Sequence, residues 1–66
     1  MRLVKFTDAR AHAPVWVNPD DASMVATVKG HDDEAAIYYG RDRLEVKGEP
    51  AQVVKKLLQP TAGEEL

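Results

Sequence analysis

Runs of alternating apolar and polar residues, each closed by a turn signal, occupy this chain as far as Lys47, and only then does the period change. Alternation sets successive side chains on opposite faces of a strand, whereas apolar residues three and four apart line one side of a helix. A chain that alternates repeatedly and turns helical once has few folds open to it. The pattern predicts an α+β domain: a five-stranded antiparallel meander, forming a small sheet or open barrel, with one C-terminal amphipathic helix.

The predicted strands are Arg2 to Thr7, Pro14 to Asn18, Ser23 to Lys29, Glu34 to Tyr39 and Arg43 to Lys47. Asp8 to Ala13 forms a polar loop between the first two. Asn18-Pro19-Asp20-Asp21 reads as a type I turn with proline at its second position. Gly30-His31-Asp32-Asp33 and Gly40-Arg41-Asp42 supply the later reversals, so strands two to five are expected to follow one another as neighbours.

The helix is expected over residues 50–59. Ala51, Val54, Leu57 and Leu58 share a stripe, while Gln52, Lys55, Lys56 and Gln59 face water. Pro50 suits the first helical position, where its missing N–H costs nothing. Glu49 and the pair Lys55 and Lys56 complement the two ends of the helix dipole. Pro60 stops the helix, giving a single domain over 1–60 and a flexible tail over 61–66.

One apolar face is expected to carry Val15, Val17, Met24, Val28, Ile37, Leu44 and Val46, and the other Trp16, Val25 and Tyr38. A single short helix covers only the first. Trp16 is the residue with most to explain, because it lies between two valines and all three cannot share one side of a regular strand. Either the valines are core and Trp16 joins the second face, or Trp16 is core and the valines are covered by something else, as in a small barrel plugged by the indole. We expect Trp16, Val25 and Tyr38 to form a protein interface, since large aromatics on a small sheet mark such surfaces.

With 66 residues and no cysteine, the chain has neither a large core nor disulfides or thiolate metal sites to support it, and association with a second copy is the remaining common remedy. A net charge of −2 describes an ordinary soluble surface. No apolar run reaches the roughly 20 residues of a membrane span, so a cytoplasmic protein is expected.

Catalytic and cofactor chemistry find little footing. His31-Asp32-Asp33-Glu34 holds the right residue types for a metal, but four consecutive side chains on a turn are expected to diverge, and no metal or cofactor site is predicted. His12, His31 and the lone Ser23 stand in no nucleophile motif, and the glycines are isolated, so the chain is not expected to be an enzyme. Arg10, Arg41, Arg43 and Lys47 could form a basic rim for phosphate, with Tyr38 available for stacking. That makes a small nucleic-acid-binding regulator the alternative reading.

The stretch Pro14-Val15-Trp16-Val17-Asn18-Pro19-Asp20, the glycine hairpin, Leu44-Glu45-Val46-Lys47 and the Pro50-initiated helix with Val53 and Leu57 together resemble the small FlbD-like family associated with bacterial flagella and swarming motility. The resemblance implies a non-enzymatic accessory protein. Two positions depart from the pattern: the loop from Asp8 to Ala13 is longer, and Glu49 stands where a serine helix cap is expected. The Val-Lys-Gly segment leading into a helix is also similar to the LytTR-type DNA-binding domains, which supports the nucleic-acid alternative.

Overall fold

A computed structural model describes residues 2–58. It contains β1 (Val4–Thr7), β2 (Pro14–Val17), a 3-10 turn (Pro19–Asp21), β3 (Met24–Val28), β4 (His31–Tyr39), β5 (Asp42–Lys47) and α1 (Pro50–Leu58). The α+β class is as expected, and so are five antiparallel strands and a C-terminal helix. Gln59 and the expected tail over 61–66 lie outside the described residues.

The single five-stranded meander does not form. β1 and β2 make a two-stranded sheet of their own, and only β3, β4 and β5 run as a meander. Two local devices account for the division. Between β1 and β2, the Asp8 carboxylate accepts the backbone N–H groups of Arg10 at 2.8 Å and Ala11 at 3.0 Å, and the Asp8 N–H donates to the Ala13 carbonyl at 2.8 Å. These bonds close the polar loop, with His12 in the left-handed region at φ 55°, so that β2 folds straight back onto β1. After β2, the Asn18 side chain accepts from the Asp20 N–H at 3.0 Å and caps a 3-10 turn. That turn carries the chain away to β3 instead of reversing it into a pair.

The two sheets are stitched at one point. Asp8 bridges Val46, and the Ala9 N–H donates to the Glu45 carbonyl at 2.8 Å. The core lies between the sheets and α1 and consists of Val4, Phe6, Val17, Ala35, Ile37, Val46, Val53 and Leu57. Val15, Ala22, Val25, Tyr39 and Leu44 pack against it.

Register corrects two of the expected faces. Val25 pairs with Ile37 and Ile37 with Leu44, so all three point to the core, because directly opposed residues share a face. Met24 pairs with Tyr38 and stands on the opposite side, about half exposed. Val28 is buried, though outside the main cluster, beyond an irregularity in the β3–β4 register between Thr27 and Val28.

The helix is rotated from the expected phase. Val53 and Leu57 are its buried residues, while Ala51, Val54 and Leu58 are exposed. A clamp from the other end of the chain holds this orientation: the Arg2 guanidinium donates to the carbonyls of Leu57 at 2.9 Å and Lys56 at 3.0 Å, satisfying acceptors that a helix end leaves open. The Lys56 ammonium reaches back to the Lys5 carbonyl at 2.6 Å. Among the described residues no helix is long and apolar enough to cross a membrane.

Candidate functional site

Trp16, Val25 and Tyr38 do not share a face. Val25 turns into the core, as its register requires. Tyr38 stands on the outer side of the three-stranded sheet, in a row with Met24 and Arg43, whose guanidinium carbon lies 5.8 Å from the ring centroid. Trp16 belongs to the other sheet. It is 50% exposed and sits opposite Lys5, whose ammonium is 5.9 Å from the indole centroid.

Trp16 does not plug a barrel but borders a groove of about 590 Å³ running between β2 and the β4–β5 hairpin end. Leu3, Pro14, Val15, Tyr39 and Leu44 line it with the indole. Tyr39 follows the same parity as Ile37, so it faces inward at the rim of the core and becomes a wall of the groove. The alternation of β4 carries that signal, since Tyr39 and Ile37 are two residues apart. β2 has a single partner, β1, so among the described residues its second edge is open to another strand.

The basic residues gather elsewhere, around two carboxylates on the outer side of the three-stranded sheet. Glu34 is buried, with its side chain only 5% exposed, and Oε2 lies 3.5 Å from the Lys47 ammonium and 3.7 Å from His31 Nδ1. Its Oε1 lies 3.8 Å from an Arg10 guanidinium nitrogen and makes no hydrogen bond. Glu45 accepts a hydrogen bond from Arg10 Nε on one oxygen and lies 2.8 Å from Arg43 Nη2 on the other. The Arg10 bond, with the charges of Arg10 and Arg43, holds the Glu45 carboxyl below the usual carboxylate range and raises Arg10 in turn. Asp8 is also held low, by the backbone N–H groups of Ala11 and Arg10.

The structure therefore brings Arg10, Arg43 and Lys47 together, but as partners of Glu34 and Glu45. Arg41, exposed at the β4–β5 turn, has no ion pair among the described residues. The metal-type residues also come closer than a turn of consecutive side chains leads one to expect: one ligand atom each from His31, Asp33 and Glu34 lies within 4.8 Å of the others. A cation there would share the Glu34 carboxylate with Lys47 and Arg10, which already balance its charge. His12 is exposed on the β1–β2 loop, where its N–H donates to the Asp8 carbonyl at 2.9 Å, and the Ser23 hydroxyl donates to the Tyr38 carbonyl at 3.1 Å.

No family model, curated protein or solved structure matches this chain.

Proposed function

We propose that this protein is a small, non-catalytic interaction module that takes an extended, apolar segment of another protein against Trp16. The observation that carries the reading is the coincidence of a half-exposed tryptophan, an apolar groove and an open strand edge within β2. An added strand can bond to the edge while its alternate side chains enter the groove, the arrangement known from other strand-addition interfaces. Tryptophan is favoured as an anchor because it offers a large rigid contact area. The resemblance to FlbD-like proteins makes components of flagellar assembly or swarming the first partners to try. Nucleic-acid binding ranks second, because Arg10, Arg43 and Lys47 already face carboxylates.

The test is selection of peptides from a displayed random library, followed by titration of each winner, carrying a fluorescent label, by anisotropy. Selected peptides should be apolar and extended, and Trp16→Ala should weaken them about 30-fold or more, as removal of an anchor worth about 2 kcal/mol does. Peptides that bind Trp16→Ala as well as the parent would place the site elsewhere.

A further inference from the structure

Among the described residues four large apolar side chains are exposed, and three of them, Met24, Val54 and Leu58, border one groove at the edge of the core, where Leu57 and Val25 also line it. The groove, about 500 Å³, lies between the 3-10 turn with the start of β3 on one side and α1 on the other. Leu58 is 77% exposed and Val54 38%, four residues apart on one helical stripe. The apolar surface of α1 is thus wider than the core accepts. Val53 and Leu57 take the inner part, and Val54 and Leu58 are left facing outward.

The charges around this groove identify an occupant. One wall ends in Asp20, exposed and without an ion pair among the described residues. On the helix side the Arg2 guanidinium lines the groove from its place on the last carbonyls of α1, and Lys55 stands just outside, next to the Val54–Leu58 stripe on the 3.6-residue period, exposed and without an ion pair among the described residues. Acid on one wall and base on the other make the surface complementary to itself. We propose that the groove between α1 and the start of β3 is the contact between two copies of this chain, related by a two-fold axis. Rotation by half a turn sets the two helices antiparallel, Val54 of each copy against Leu58 of the other, and brings each Lys55 toward the acidic turn opposite. Isologous contacts have this reciprocity. The surface is separate from the Trp16 groove, so a dimer built this way presents two copies of the proposed peptide site.

Sedimentation velocity on the full chain from about 1 to 500 μM tests this, the upper limit lying well above the micromolar range in which self-association is useful. The parent should move from monomer to dimer, and Leu58→Glu, at an exposed position, should stay monomeric with an unchanged melting curve at low concentration. Lys55→Glu should raise the dissociation constant about tenfold or more. Adding Asp20→Lys to it should restore the dimer, because the swapped charges meet again only across a self-contact. Trp16→Ala should dimerise as the parent does, which separates this result from the peptide test. A parent that stays monomeric at the highest concentration would overturn the proposal, as would a Leu58→Glu dimer or a failed charge swap. Dimerisation seen only after removal of residues 59–66 would overturn it too, by assigning the groove to the chain's own end.

Discussion

Adjacent valines on α1 offer the sharpest test of the fold, because Val53 is 2% exposed and Val54 38% exposed, and alanine removes the same atoms from each. At Val53 two methyl groups leave an enclosed site, costing about 0.8 kcal/mol each in transfer. The space left behind raises the total to about 2 to 3 kcal/mol. Alanine's better helix propensity returns about 0.5 kcal/mol at either position. The net loss is therefore about 2 kcal/mol for Val53→Ala and close to zero for Val54→Ala. On a domain of this size each kcal/mol moves the midpoint by about 4 to 8 °C, so Val53→Ala should melt about 8 to 16 °C lower. Thermal unfolding followed by circular dichroism at about 5 μM, where self-association is weak, reads the difference. Equal shifts, or a larger one for Val54→Ala, would show that the helix packs in the phase its sequence stripe predicts and not in the phase described above.

Further outcomes follow from the clamp and the charged cluster. Arg2→Ala removes two hydrogen bonds to the end of α1, and should cost about 2 kcal/mol in urea unfolding, typical of bonds made by a charged donor. Because Asp8 and Glu45 are held below their ordinary values of 3.8 and 4.5, the folded state should lose stability as pH falls from about those values through the lower folded-state ones. Asp8→Asn and Glu45→Gln should each flatten the acid limb of a stability–pH curve. A random oligonucleotide pool should show no micromolar, salt-sensitive association; steep loss of binding with added salt would revive the nucleic-acid reading through Arg41 and its neighbours.

Element types were legible because they rest on local chemistry. Proline at the first turn of α1 and the change of period at Lys47 need no tertiary information. Faces were less so. The alternation of β3 places Met24 and Val25 on opposite sides but does not say which side is core; its pairing with Ile37 decides that, and pairing is non-local. The same limit hid the split of the sheet, since Asn18-Pro19-Asp20-Asp21 suits a hairpin turn and a 3-10 turn alike. On α1 the apolar stripe predicts a core face, whereas part of it is surface, and composition cannot separate a residue buried in its own domain from one available to a second chain. Trp16 stood out from the start because its neighbours made the conflict visible within three residues.

The central claim, that Trp16 stands ready at a groove for another chain, is tested most directly by acrylamide quenching of its fluorescence in the free protein at low concentration. A half-exposed indole should emit toward the red and quench readily, then become shielded and shift to the blue when a selected peptide binds. Blue, quench-resistant emission from the free monomer would mean that the ring is already buried, and the groove reading would fall.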